Sequence, residues 1–434
     1  MNPLTTYQSL SGKLSYALFL ALLIALPLPR FILQPIAVGW IISWVLELRW
    51  ITGIKDLRTD GQSHWRLALP GILLVILTLW EALSLLWAPD QAAGLAIINR
   101  HWPFIILVLI PLFGFNDLFR GHKLLATLFA AGVVSVPLYL FTSYWVWNAD
   151  AVIWFDRNAL RPFEFPAFHG FTSLMKLRSY YCLILMLSIF SAPVLYRHYC
   201  RLYPRWEVLV TLGVGIAVMI AGILMTGSRS AFITFVITVV FLLFVGYRKR
   251  LRWWAQALIV IGGLALGVGA MVLNPRFSLF TSVDVHHLEL GEATNLNEPR
   301  LFIWHSVLEH RADYGFFGLG VGQHVPFMME RYREAGNTIF LEQGFGPHSQ
   351  FFSTWMCLGP LAALLLLAVF FLIPRVFRGP AHYMAHAFAF LYGFSLLSDD
   401  LFERMDSILI FLVWMLVLYA LETNPENRDT QPVH

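Results

Sequence analysis

The amino-acid sequence predicts an all-α polytopic membrane protein with about 12 transmembrane helices, and three observations carry that prediction. Of 434 residues, 58% are hydrophobic and 13% charged, with a mean hydropathy of +0.67; a soluble domain runs nearer about 45–50% apolar and about 25% charged. Sixteen Trp and 36 Phe suit a chain with many membrane–water interfaces. Apolar runs approaching the length of a bilayer crossing recur along the whole chain. These observations exclude a water-soluble globule, a disordered chain and a coiled coil. The net charge of +4 is too small to indicate a partner, so the placement of the charges matters more than their sum.

In chain order, the apolar runs fall near 14–28, 31–48, 68–87, 102–115, 124–147, 179–196, 207–225, 229–246, 255–273, 349–373, 382–397 and 406–421. The first follows a single Lys13 and has no small-residue cleavage site, so it reads as an uncleaved helix. Pro27, Pro111 and Pro137 fall within runs, which helices buried against one another tolerate. Four blocks follow: residues 1–273 with nine helices and short loops, a loop domain at 274–347, three more helices at 348–421, and a frayed polar tail at 422–434. Within the loop domain, the segment from Pro299 to Leu308 has apolar residues 301, 304 and 308 at helical spacing, with Asn297 as N-cap and Pro299 in the first turn. Gly315, Gly318, Gly320 and Gly322 then end it.

Charge placement gives an orientation. With both termini cytoplasmic, 17 of the 30 Lys and Arg fall on the cytoplasmic side. Of the other 13, five lie in the long loop, where they count weakly, so the useful comparison is 17 against 8. Two long far-side segments result, about 30 residues at 148–177 and about 75 at 274–347; loops of such length are usually functional. Cys182 and Cys357 lie in apolar runs and Cys200 in a basic loop, with no metal-ligand spacing and no disulfide framework. There is no Walker loop or dinucleotide fingerprint: the glycines at 318, 320 and 322 lack the strand–turn–helix setting and the Lys that phosphate loops need.

The chemistry-bearing residues cluster at helix starts on the far side. Arg229 follows Met225-Thr226-Gly227-Ser228 and opens the eighth run. A cation is disfavoured at a helix N-terminus unless an anion joins it, and free N–H groups beside a guanidinium make a phosphate site. Arg300 repeats the pattern on the loop helix. His348, in Gly346-Pro347-His348-Ser349, is expected in the first turn of the tenth span, where the helix dipole and burial favour the neutral imidazole that a general base needs. Arg157 and Arg161 sit among aromatics in the shorter far-side loop, a pattern that also fits lipid headgroup contact. Asp399, Asp400 and Glu403 join the last two runs, where they could orient a sugar, pair with an arginine or simply be solvated.

Three segments together resemble one family. Residues 225–232 resemble its Thr-x-Ser-Arg motif. The segment PRLFIWHSVLEHRADYGFFGLGVG (299–322) resembles its Arg-x-x-x-Trp helix and Gly-rich turn. The segment PHSQFFSTWMCLGPL (347–361) resembles its His motif, with Gly359 eleven positions after His348. On these motifs and on the layout of spans, the chain resembles the lipopolysaccharide O-antigen ligase family, within the O-antigen ligase/polymerase superfamily. The resemblance implies a C-type glycosyltransferase-like fold in the bacterial inner membrane, with a helical periplasmic insert between spans 9 and 10. It implies inverting transfer of O-antigen polysaccharide from undecaprenyl diphosphate to the lipid A–core oligosaccharide at the periplasmic face. No metal, nucleotide or other cofactor would be needed, and the partners are the two lipid substrates and membrane lipids, with no nucleic acid. His348 would be the base, Arg229, Arg300 and Arg161 would bind diphosphate, and Arg157, Asp399, Asp400 and Glu403 would orient the acceptor. An O-antigen polymerase or a protein O-glycosyltransferase fits the same motifs. A secondary transporter or flippase is the alternative from another class, although polar residues gathered at one face, without repeat symmetry, speak against it.

Overall fold

The computed structural model describes residues 3–48, 61–115, 118–153, 178–226, 228–247, a few positions between 252 and 262, and 299–423. Among these residues the regular structure is helical throughout, with no strand. The bundle helices are α1 (Pro3–Ala25), α2 (Arg30–Leu46), α3 (Gly61–Ser84), α4 (Gln91–His101), α5 (Ile106–Phe113), α6 (Gly121–Ile153), α7 (Arg178–Tyr199), α8 (Arg205–Met225) and α9 (Arg229–Tyr247). The insert supplies α10 (Pro299–Glu309), α11 (His324–Glu334) and α12 (Thr338–Gln343). The chain returns to the bundle through α13 (Gln350–Leu358), α14 (Pro360–Val376), α15 (Gly379–Ser398) and α16 (Met405–Thr423).

Among the described residues, six helical segments are long and apolar enough to cross a membrane: His64–Ser84, Gln91–Phe113, Gly121–Thr142, Ser179–Tyr199, Arg205–Met225 and Met405–Thr423. Shorter apolar helices cover Leu10–Ala25, Arg30–Leu46, Ser230–Val245 and Pro360–Val376. Nearly all of the run at 255–273 lies outside the described residues, as do Asn297 and the insert up to residue 298. The chain is therefore a polytopic helical membrane protein.

Several boundaries differ from the sequence expectation: the span expected at 102–115 begins at Gln91, and α6 runs on to Ile153, into the segment expected as a loop from 148. The run at 349–373 is two helices, not one, because Gly359 takes φ +86° between α13 and α14. A side chain there would overlap the Phe316 carbonyl of the insert, so only glycine allows this close approach. Glu422, expected in a frayed tail, is instead held in the last turn of α16. Its carboxylate accepts from Arg66 Nη2 at 2.8 Å and from the Arg378 backbone N–H at 2.7 Å.

The last helix is the hub. Every residue of α16 from Ser407 to Leu421 is buried, and the helix packs against α4, α5, α6, α7 and α15. A helix apolar all round can be stable only where neighbours cover every face, and α16 has them. The insert carries a small core of its own: Ile303, Val307, Tyr314, Met328, Tyr332 and Phe340 close over Met356 of α13. Its glycine turn clasps the bundle. Leu319 N–H donates to Met356 O (2.8 Å) and Gly320 N–H to Cys357 O (2.9 Å). Gly318, at φ +76°, lies against the Cys357 backbone with no room for a side chain. Val321 N–H reaches Ser84 Oγ (3.0 Å), and Trp87 Nε1 reaches Gly318 O (3.2 Å). The insert is thus pinned both to the α13–α14 break and to the α3–α4 turn.

Candidate active site

The clasp places the start of α10, the 344–349 turn and the 399–404 turn at one rim of the bundle. Trp304 of α10 donates from Nε1 to Pro347 O at 2.9 Å, tying this helix to the residue before His348. His348 has φ +50°, one of two non-glycine residues with positive φ among those described. A left-handed non-glycine residue costs about 1–2 kcal/mol and persists only where its surroundings fix it. Here Trp304 holds the preceding carbonyl, and the Phe345 ring lies 5.4 Å from the imidazole.

His348 does not sit in the first turn of the span. It precedes Ser349, the N-cap of α13, so it stands just outside the helix. Its pKa is nevertheless lowered. Burial is the largest cause and the positive charge of Arg300 the next; Arg404 acts in the same sense, while Asp399 and Glu403 partly oppose it. The imidazole is half-buried, neutral near pH 7, and in the field of a guanidinium. Arg300, Arg404, Asp399 and Glu403 thus all lie near enough to His348 for their charges to act on it.

The carboxylates of the 399–404 turn are held from three directions. Asp399 Oδ2 accepts from Ser179 Oγ of α7 at 3.0 Å, and Asp400 Oδ1 from Ser353 Oγ of α13 at 2.6 Å. Glu403 Oε1 lies 2.8 Å from His324 Nε2 at the start of α11. Gln350 Oε1 accepts the Phe402 N–H at 2.8 Å. Phe402 O receives His101 Nε2 at 2.8 Å, and His101 Nδ1 lies 2.6 Å from Glu81 Oε2. Burial alone would lower the His324 pKa, but the Glu403 charge outweighs it and holds the imidazole well above its ordinary value. Glu403 is held low against its own burial by the same partner. Asp400 is pushed up to about 7 by burial and by the neighbouring Glu403 charge.

The remaining expectations divide. Arg229 opens α9 as expected, but its side chain lies outside the described residues, and Arg157 and Arg161 lie outside them entirely. The start of α9 belongs to the same rim. Thr226, three residues before Arg229, has its hydroxyl 3.1 Å from Cys182 Sγ on α7, one turn from the Ser179 that holds Asp399. His324, Gln350, Ser353, Ser179 and Arg404 are site residues that sequence reasoning missed. For Arg404 a signal existed, because it is a cation opening the last span.

An apolar groove of about 490 Å³ runs down the outside of the bundle from this rim. Phe351 and Leu397 form its end nearest the site, Phe390 and Phe371 its middle, and Arg375 and His382 its far end. Phe351 lies three residues from His348 and Leu397 two from Asp399, so a chain lying in the groove would bring its head to the rim.

Fold and site define a class: a polytopic helical membrane protein with a neutral histidine and fixed carboxylates at one rim, near the end of an apolar groove. Residues 214–367 match the family model described as O-antigen ligase. That segment, about a third of the chain, takes in α9, the insert and the His348 turn, and over it the chain is similar to the O-antigen ligase family. No curated protein matches the chain.

Proposed function

We propose that the protein is an O-antigen ligase, moving O-antigen polysaccharide from undecaprenyl diphosphate to the lipid A–core oligosaccharide at the periplasmic face of the inner membrane. In this reading the chain spans the membrane about 12 times, with both termini cytoplasmic and residues 274–347 as a periplasmic domain. The observation that carries it is the neutral His348, in the field of Arg300 and three residues before Phe351 of the apolar groove. His348 takes the proton of an acceptor sugar hydroxyl as the oxygen attacks the anomeric carbon. The new glycosidic bond forms as the bond to the diphosphate oxygen breaks, and the electron pair leaves on the diphosphate. A single displacement inverts the centre. Arg300, with Arg229 and Arg161 completing the set, neutralises the leaving diphosphate, for which the guanidinium fork is geometrically suited. Asp399 and Asp400 are fixed by serines on two different helices, which suits them to hold acceptor hydroxyls in register.

The test replaces His348 with Asn, which tolerates left-handed backbone and accepts no proton at this pH. Transfer by purified protein should fall about 10²- to 10⁴-fold while the protein stays folded and inserted. Activity within a few-fold of the parent would remove His348 as the base. Offering lipid A–core, donor-linked glycan and a protein acceptor in parallel separates ligase from polymerase and from protein O-glycosyltransferase.

A further inference from the structure

Apart from the groove, the protein has a second and larger cavity, of about 790 Å³. It is built where the first turn of α2, the last turn of α4 and the start of α16 meet. Its charged and polar wall includes Arg30, Gln34, Asn99, Arg100, Arg404 and Asp406. Glu403 also borders it, but that carboxylate is taken by His324.

The three arginines differ in how they are held. Arg100 donates from Nη1 to the Glu403 main-chain carbonyl at 2.6 Å, which fixes it to the same turn that carries the site carboxylates. Arg30 and Arg404 are exposed, and among the described residues no carboxylate lies within ion-pair distance of either. Besides Glu403, which His324 holds, the cavity has one carboxylate, Asp406, against three guanidinium groups; the excess positive charge favours an anion, and phosphate is the anion that the guanidinium fork fits best. The walls below are apolar: Val38 on α2 and Trp102 after α4 line the cavity and are well exposed. Further along α2, Ile42 and Val45 continue the exposed apolar face. An anionic head above and a hydrocarbon surface below describe a lipid-anchored ligand.

We propose that this cavity seats the phosphate of a phosphorylated glycolipid, the substrate that accepts the sugar. The assignment rests on the glycosyl-transfer reading for the acceptor's identity, and on the cavity itself for the phosphate. Arg404 faces the cavity and its charge also reaches His348, so the two sites share a wall. Two lipid substrates held in separate cavities, this one and the apolar groove, would leave the attacking hydroxyl and the leaving diphosphate free to reach the reacting carbon by different routes.

The test uses full-length protein in lipid nanodiscs and the variant Arg30→Gln, since Arg30 is exposed and stands apart from His348 and Arg300. Binding of lipid A–core, of its enzymatically dephosphorylated form and of undecaprenyl diphosphate is measured directly. Arg30→Gln should weaken lipid A–core binding about tenfold or more, leave the dephosphorylated form unchanged, and leave undecaprenyl diphosphate unchanged; Arg30→Lys should restore part of the loss. Equal weakening of both glycolipid forms, no weakening of either, or a loss confined to undecaprenyl diphosphate overturns the proposal. If the parent protein binds lipid A–core in a phosphate-dependent way yet transfers no glycan to it, the seat stands and the transfer reading falls.

Discussion

The ion pair between His324 and Glu403 fastens the insert to the bundle, and Glu403→Gln measures how firmly. Nε2 and Oε1 are 2.8 Å apart, with 3% of the His324 side chain and 20% of the Glu403 side chain exposed. At an effective dielectric of about 20, opposite unit charges at that separation attract by roughly 6 kcal/mol, and desolvation takes back most of it. Removing one member of a buried pair costs about 3–5 kcal/mol when the survivor must stay charged. His324 need not: without the carboxylate it sheds its proton and remains beside Cys357 Sγ, 3.3 Å from Nδ1. The net loss is therefore nearer about 2 kcal/mol, which makes opening of the insert roughly thirtyfold more frequent. Amide hydrogen exchange at Leu319 and Gly320 reads that opening directly, because their N–H groups make the clasp to Met356 O and Cys357 O. His324→Gln should accelerate exchange by a similar factor, and the double variant by less than the product of the two. The pH dependence has a definite sign. A histidine pKa held above its ordinary value gives stability that is complete below about pH 6.5 and lost as pH rises through the raised value. After correction for intrinsic exchange, opening should grow with pH in the parent through that range, and Glu403→Gln should abolish the growth. Exchange in Glu403→Gln within threefold of the parent, with bundle amides still protected, would refute the reasoning.

Two further predictions concern the same rim. The pH–rate profile of transfer should have an acid limb set by protonation of His348; Arg300→Gln, removing a charge that lowers its pKa, should move the limb to higher pH, and Asp399→Asn should move it to lower pH. Limbs that stay in place, or move together, would mean that another group titrates. Gly359→Ala forces a side chain into backbone at φ +86° and onto the Phe316 carbonyl, costing about 1–3 kcal/mol in strain before any clasp bond is lost. It should lower the thermal midpoint and deprotect residues 316–320 together, whereas Ala362, buried in ordinary helix three residues on, should accept Gly with a smaller loss confined to α14.

What was legible in the sequence follows from what each feature requires. Apolar runs are local, and all but the one at 255–273 coincide with described helices. The break within 349–373 was written locally too, as Gly359-Pro360, but hydropathy sums over a window and two short helices separated by one glycine look like one long one. His348 and Arg300 could be picked out because each stands in a motif at a helix start. His324 could not: it follows a glycine turn with no period around it, and only the fold shows that it lies opposite Glu403, 79 positions later, and against Cys357.

The polar corner at 399–404 shows why such sites escape local reading. Its groups are drawn from Glu81, Arg100, His101, Ser179, His324, Gln350 and Ser353, spread over four helices and the insert. At a membrane rim a polar group that turns inward must find its partner in protein. A helix presents a given rim with only its last turn, so each helix can contribute one or two such groups. A charged turn of six residues must then collect partners from many helices, each contributing a single unremarkable Ser, Gln or His. The same scarcity explains the division of labour across the turn: main-chain carbonyls of Phe402 and Glu403 take His101 and Arg100 on the side of the large cavity, which leaves the carboxylates of Asp399, Asp400 and Glu403 to meet Ser179, Ser353 and His324 on the side of His348. A turn anchored through its backbone on one side and its side chains on the other can separate two anionic lipid heads without either one displacing it.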